Sequence, residues 1–154
     1  MRIAPELARF VAGPVLMTLA TRDAANRPMI ARGSGGRVID EEGGRVEVAV
    51  SAALWPETIA NVRDNGMFGV TFVQPADYRA YQLKGRAVLR EPDDTDRARA
   101  AAYVTRTERL LADLGVSVAL IRCWLTAQDL RIVVLEVERI FEQTPGPRAG
   151  AVVA

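Results

Sequence analysis

Histidine is absent from this chain, and cysteine occurs once, at Cys123. Without histidine there is no Ser-His-Asp or Cys-His catalytic arrangement, no histidine-ligated zinc or heme, and no side chain whose ordinary pKa lies near neutrality. A single cysteine forms no intramolecular disulfide and suits a reducing compartment. Within the apolar segment VALIRCWL we predict that Cys123 is a small buried residue rather than a nucleophile. Any chemistry performed by this chain is therefore expected to come from a bound cofactor.

Long apolar runs and an excess of one charge are also missing. No stretch approaches the roughly 18 apolar residues that a membrane-spanning helix needs, and the first ten residues lack the apolar core of a signal peptide. Twenty basic residues stand against nineteen acidic ones, and the arginines are scattered, which gives no electrostatic reason to expect binding to nucleic acid or to a membrane. We therefore expect a cytoplasmic protein with a single domain over residues 1–154.

The pattern of apolar residues predicts a mainly β fold with flanking helices. An N-terminal helix is expected within residues 1–13, where Leu7, Phe10 and Val11 share one face. The strands predicted in chain order are PVLMTLATRD, MIARGSGGRVID, RVEVAVSA, MFGVTFVQ, YRAYQLKGRAVLRE and LRIVVLEVERIFEQ. About six antiparallel strands linked by tight turns favour a closed barrel over a doubly wound sheet.

Two further helices interrupt the strands. A short helix is predicted to start at Pro56 and to stop at Asn65-Gly66, and a longer one occupies residues 93–115. The acidic residues Asp93, Asp94 and Asp96 are interpreted as charges at the start of this helix rather than as a metal site. Residues 143–154 are predicted to be a loose tail.

Two strands carry more specific expectations. In RVEVAVSA, residues Val46, Val48 and Val50 are predicted to point inward while the other face meets water. The strand that contains Gly85 is long enough that a bend or bulge is expected at this glycine.

The order and spacing of three segments resemble the pyridoxamine 5'-phosphate oxidase-like proteins, which are FMN-binding split β-barrels. The segments are VLMTLATRDAANRPMIARGS, RVEVAVSAALWPETIANVRDNGMFGVTF and YQLKGRAVLRE, and the resemblance covers roughly Gly13 to Glu142. It implies a split β-barrel of about six antiparallel strands and a homodimer that binds FMN in clefts between the subunits. For the subunit interface, the apolar candidates are Phe68, Phe72 and Trp124.

The resemblance also implies which residues contact the cofactor. They are Arg32, Gly33, Ser34, Gly35, Arg37, Val50, Ser51 and Trp55. Arginines suit the FMN phosphate because a guanidinium offers paired donors to an anion, and small residues let a ring approach the backbone. Taken alone, the segment ARGSGG is typical of a strand and turn, because it matches no phosphate-binding motif.

Two departures from the family leave the function open. WPE, from Trp55 to Glu57, stands where the family's oxidases carry an adjacent basic pair, and EQTPGPRAG does not match their basic C-terminal elements. We therefore do not expect a pyridoxamine phosphate oxidase. One hypothesis is an FMN-dependent oxidoreductase acting on an unidentified small molecule. A variant of this hypothesis uses a deazaflavin in the same cleft. The other hypothesis is a non-catalytic split-barrel module that binds or senses another flavin-like ligand, or that has lost FMN.

Overall fold

A computed structural model describes residues 1–153. It contains seven strands and four helices, and in chain order these are α1 (Pro5–Val11), β1 (Leu16–Arg22), β2 (Pro28–Arg32), β3 (Gly36–Asp40), β4 (Arg45–Ser51), α2 (Pro56–Asn65), β5 (Met67–Val73), β6 (Ala80–Arg90), α3 (Asp94–Asp113), α4 (Val118–Arg122) and β7 (Leu130–Glu142). The mainly β fold is confirmed, whereas α4 was not predicted.

All strands join one antiparallel sheet in the order β2-β1-β5-β6-β7-β4-β3. Strands β2 and β3 are the two halves of one predicted strand, and each half pairs with a different end of the sheet. Between them, the amide of Gly33 donates to the carbonyl of Met17 at 3.3 Å, and the amide of Ser34 donates to the carbonyl of Ala49 at 2.7 Å. The sheet therefore closes into a barrel at this point, and the predicted strand count rises from six to seven.

Glycines are needed where the barrel closes, because the core fills the space beside them. A Cβ atom added to Gly33 would lie 2.9 Å from Cγ1 of Val48, and one added to Gly36 would lie 3.0 Å from Cε1 of Phe72. Real Cβ atoms essentially never come closer than 3.0 Å to another heavy atom, and a separation of 3.0 Å is tighter than most of their contacts in a packed interior. The small residues of the GSGG segment thus satisfy core packing.

Helices α1 and α2 lie at the two ends of the barrel. Leu7, Phe10 and Val11 are buried as predicted, and the ring of Phe10 meets that of Tyr81 edge to face with centroids 5.2 Å apart. Helix α2 begins at Pro56 and ends at Asn65, and the next residue, Gly66, has a φ of 66° and provides the left-handed cap that the sequence predicts.

Helix α3 covers the outer face of β4 and β7. Ala100 packs with Ala49 and Ile132 in a small apolar cluster. The opposite face of β4 was predicted to meet water, and this is wrong: Glu47 on that face is 6 % exposed.

A network of five charged side chains joins α3 to the sheet. Glu47 accepts hydrogen bonds from Arg37 at 2.8 Å and from Arg90 at 2.7 Å. Asp96 accepts from Arg90 at 2.5 Å and also from Arg99. The hydrogen bonds from Arg90 hold the pKa of Asp96 well below its ordinary value. The acidic residues lie at the start of α3, as predicted. Asp93 also caps the helix by accepting from the amide of Asp96, and Asp96 attaches the helix to the barrel.

Three further predictions from the sequence are wrong. Phe68 and Phe72 are buried inside the barrel and are not available to a subunit interface. Cys123 is exposed rather than buried. The C-terminal segment is not loose up to residue 153, since Val153 donates its amide to the carbonyl of Ile140 at 2.9 Å.

Over residues 1–153, no helix is both long enough and apolar enough to cross a membrane.

Candidate functional site

The outward face of β2, β1, β5, β6 and the end of β7 is open, in contrast to the face under α3. Ile30 is 54 % exposed on it, and Lys84 and Arg139 are exposed as well. We call this surface the open face. It consists of two rows of side chains that run across the strands. The first row is Arg32, Thr18, Thr71, Gln82 and Phe141, and the second is Ile30, Ala20, Gly69, Lys84 and Arg139.

Arg32 occupies one end of the first row and is held in place by neutral partners. Its Nη1 atom donates to the hydroxyl of Thr18 at 2.6 Å, and its Cζ atom lies 5.5 Å from the centroid of the Trp124 ring. Within residues 1–153, no carboxylate comes within 4.0 Å of this half-buried guanidinium. Arg32 therefore presents an oriented positive charge that the described chain does not neutralise.

The middle of the first row is polar and ordered. The side-chain amide of Gln82 donates to the hydroxyl of Thr71 at 3.1 Å, and Thr71 lies opposite Thr18 across the strands. In the second row, the residues on the same two strands, β1 and β5, are small: Ala20 lies opposite Gly69. The open face thus offers a flat floor beside a line of hydrogen-bonding groups.

A cavity of about 420 Å³ opens on the same face. The residues that line it are Ala20, Thr21, Arg22, Met67, Phe68, Gly69, Gln82, Lys84, Gly85, Glu138, Arg139 and Phe141. This volume lies within the usual range for small-molecule sites. Sequence reasoning missed its cations, Arg22, Lys84 and Arg139. Their outward positions follow from strand alternation, but which of them become neighbours depends on the strand register.

Arg37 does not join Arg32. It lies beyond the turn at Gly33 and Gly35, and its Nε atom donates to Glu47 at 2.8 Å, so its charge is already paired. The four residues between the two arginines cross the point where the barrel closes, and the arginines therefore lie on different parts of the surface.

The other residues that the resemblance placed beside FMN are mostly buried. Ser34 donates its hydroxyl to the carbonyl of Thr126 at 2.5 Å, and Ser51 accepts from the amide of Leu54 at 3.3 Å. Gly33, Gly35 and Val50 are buried as well, and Trp55 is half-buried against the core at the start of α2. Of the eight residues, Arg32 is the one on the open face, and contact of any of the eight with a cofactor stays a prediction.

Tyr103 lies behind Arg32 and is not an acid or base at neutral pH. Burial raises the pKa of Tyr103 to about 12, and its hydroxyl donates to the carbonyl of Val15 at 2.8 Å. The role of this hydroxyl is therefore structural: it ties α3 to the start of β1.

Comparison with known proteins supports the fold. No model of a known protein family and no curated protein matches the chain. Among solved structures, a putative pyridoxamine 5'-phosphate oxidase from Lactobacillus delbrueckii is 16% identical, with a TM-score of 0.58, over 91% of this chain and 93% of that one. An F420 reductase is 15% identical, with a TM-score of 0.55, over 86% and 93% of the two chains.

A third match is a heme storage protein. HutZ, the heme storage protein from Vibrio cholerae, is 18% identical, with a TM-score of 0.50, over 92% of this chain and 95% of its own. At such identities the matches establish architecture alone. This chain therefore has the split-barrel fold of the pyridoxamine 5'-phosphate oxidase-like proteins, as the resemblance implied.

Proposed function

We propose that this chain binds FMN on the open face and acts as a flavin-dependent oxidoreductase, with Arg32 bound to the phosphate. The supporting observation is the state of Arg32, which is fixed by Thr18 and Trp124 but has no carboxylate within 4.0 Å among residues 1–153. A phosphate carries close to two negative charges, and arginine binds it through paired, charge-assisted hydrogen bonds.

The neighbouring residues fit a flat cofactor. Ala20 and Gly69 leave room for a ring system to lie on the sheet, and Thr71 and Gln82 supply hydrogen-bonding groups along its edge. Bound FMN would supply hydride transfer. The chain would orient the ring, hold its phosphate and keep water from one of its sides, and it needs no histidine for these tasks.

A second copy of the chain is expected to complete this site, because the open face covers a flat ligand on one side only. Trp124 remains the apolar candidate for the interface, since it is half-buried beside Arg32. We expect a homodimer at micromolar concentration, measured by light scattering after gel filtration. A monomer with FMN bound would contradict this part of the proposal.

Two alternatives remain in view. The F420 reductase match favours a deazaflavin as the ligand of the same face. A non-catalytic ligand-binding or sensor module is favoured by Glu57, an acid in the first turn of α2 near the point where the family's oxidases carry a basic pair. The heme named for HutZ suits this chain poorly, because the sequence contains no histidine to ligate it.

The Arg32→Gln variant tests the proposal. We expect wild-type protein to quench FMN fluorescence on titration, and we expect the variant to bind FMN roughly 10- to 100-fold more weakly, because hydrogen bonds to a charged group are lost. Arg63→Gln is the control, since Arg63 is an exposed arginine on α2, away from the open face. Equal affinities of the two variants would remove Arg32 from the site, and absence of quenching by wild-type protein would end the FMN proposal.

Two further measurements separate the alternatives. Mass spectrometry of the ligand extracted from purified protein distinguishes FMN from a deazaflavin. Turnover of bound flavin by a nicotinamide reductant supports an enzyme, whereas stoichiometric binding without reduction supports a non-catalytic module.

A further inference from the structure

We propose that the cavity on the open face binds the second reactant of this flavoprotein, and that this reactant is an aromatic anion carrying a carboxylate, sulfonate or phosphate group. The inference rests on the proposed function and adds a substrate class to it. It depends on three features of the cavity: its cations, its apolar walls and its distance from Arg32.

Among the described residues, the cations of the cavity have no carboxylate partners. Eleven of the nineteen arginines in the sequence form an ion pair with a carboxylate. Arg22, Arg139 and Lys84, the single lysine of the chain, have no carboxylate within 4.0 Å among residues 1–153, yet all three line this cavity. Glu138 is the one acid among the lining residues. The imbalance of three positive charges to one negative charge favours an anionic ligand.

The rest of the cavity is mostly apolar and suits a ring. Met67 and Phe141 form parts of its wall, and Gly69 and Gly85 are among the small residues that line it. The ammonium group of Lys84 lies 4.9 Å from the centroid of the Phe141 ring, so an aromatic wall and a positive charge are adjacent. A ligand that combines a ring with a negative charge satisfies both.

The separation from Arg32 argues for two anions rather than one. Lys84 lies on β6 and Arg32 on β2, three strands away, which corresponds to about 14 Å at the usual spacing of neighbouring strands. A single phosphate bound to Arg32 does not reach Lys84 or Arg139. The floor at Ala20 and Gly69 lies between them and is where the rings of the two reactants would meet.

A covering second copy would not remove the need for an anion. Lysine is depleted at protein interfaces although arginine is enriched there, and burying an unpaired cation of either kind costs free energy. If a partner subunit covers the open face, Arg22, Lys84 and Arg139 therefore still require negative charge. The cavity then becomes a cleft between two copies.

Dye binding tests the proposal. Anilinonaphthalene sulfonate is an aromatic anion that fluoresces in apolar sites, and N-phenylnaphthylamine is its uncharged counterpart. We expect the sulfonate to bind wild-type protein and to bind the Lys84→Gln/Arg139→Gln variant at least tenfold more weakly. The neutral dye should bind both proteins equally. Arg63→Gln/Arg109→Gln removes the same charge from exposed helical positions elsewhere and should leave sulfonate binding unchanged.

Three outcomes would overturn the inference. The first is no saturable sulfonate binding by wild-type protein, and the second is an equal loss in the control variant, which would indicate a general charge effect. The third is one-for-one displacement of the dye by FMN, because the cavity would then belong to the flavin itself. FMN titration of the same variants is a separate measurement. It distinguishes a failure of the flavin proposal from a failure of the proposal that the cavity binds an aromatic anion.

Discussion

Replacing Asp96 by asparagine is expected to lower the free energy of unfolding by about 2–4 kcal/mol at neutral pH, because it breaks a buried ion-pair network. The side chain of Asp96 is fully buried, while those of Arg90 and Arg99 are about one-third exposed, which keeps the expected loss below that of a wholly buried pair. Asparagine retains the shape and the oxygen that caps α3 but not the charge. Arg37, Arg90 and Arg99 would then share Glu47 as the one carboxylate of the network.

Asp94→Asn is the matched control. Asp94 lies two residues earlier in the same first turn, is fully exposed, and pairs with Arg97 at 3.2 Å on the surface. Exposed ion pairs contribute little, and we expect a loss of about 0.5 kcal/mol or less. Urea unfolding followed by circular dichroism measures both variants. If Asp96→Asn unfolds at the same urea concentration as Asp94→Asn, the network does not hold α3 to the barrel.

The same comparison has a defined pH dependence. Arg90 holds the pKa of Asp96 below its ordinary value in the folded protein, so the folded state binds the proton less tightly than the unfolded state does. The stability that the carboxylate contributes is therefore fully present above the unfolded pKa of about 4 and falls as the pH drops below it. We expect the difference between wild type and Asp96→Asn to be constant from neutral pH down to about pH 5 and to shrink in stronger acid.

This network also shows which part of β4 could be predicted from the sequence and which part could not. Alternation in RVEVAVSA correctly placed Val46, Val48 and Val50 in the core, because a period of two is a local property. It did not show that α3 would cover the other face, since Glu47 meets Arg90 across more than forty residues of chain and Arg90 in turn meets Asp96 on α3. An isolated glutamate in a valine-rich strand is a signal of such a partner, but it does not identify the partner.

The glycine-rich segment was ambiguous for a physical reason. Glycine indicates that something approaches the backbone closely, but it does not say whether the neighbour is a ligand or the core. At Gly33 the neighbour is Val48, and at Gly36 it is Phe72. Arg32, just before this segment, lies on the open face as the resemblance required, whereas Arg37, just after it, is paired with Glu47.

The positions of the cations on the open face depend on the bulge at Gly85, for which the sequence predicted the place but not the strand register. A bend or bulge was predicted at Gly85, and the register does shift between Lys84 and Gly85. This shift pairs Lys84 with Arg139 and leaves Glu138 as the extra residue of the bulge. Alternation alone therefore does not yield the charge pattern of the cavity.

Replacing Gly85 by alanine is accordingly expected to destabilise the barrel by at least about 3 kcal/mol, because overpacking against rigid backbone has little means of relief. A Cβ atom at this position would lie 3.0 Å from both the carbonyl carbon of Glu136 and the amide nitrogen of Glu138, and closer still to the Glu136 carbonyl oxygen. These atoms belong to the bulge itself. Accommodating the methyl group would require β6 and β7 to separate where they are paired.

Gly69→Ala is the matched control for Gly85→Ala. It lies on the neighbouring strand, opposite Lys84, and a Cβ atom there would meet Cγ of Lys84 at 3.6 Å, an ordinary contact with a flexible side chain. We expect its midpoint of thermal unfolding to stay close to that of wild type, while Gly85→Ala unfolds about 10 °C lower or fails to fold. Equal midpoints would show that the bulge tolerates a side chain. The register that places Lys84 beside Arg139 would then have to be maintained by other contacts between β6 and β7.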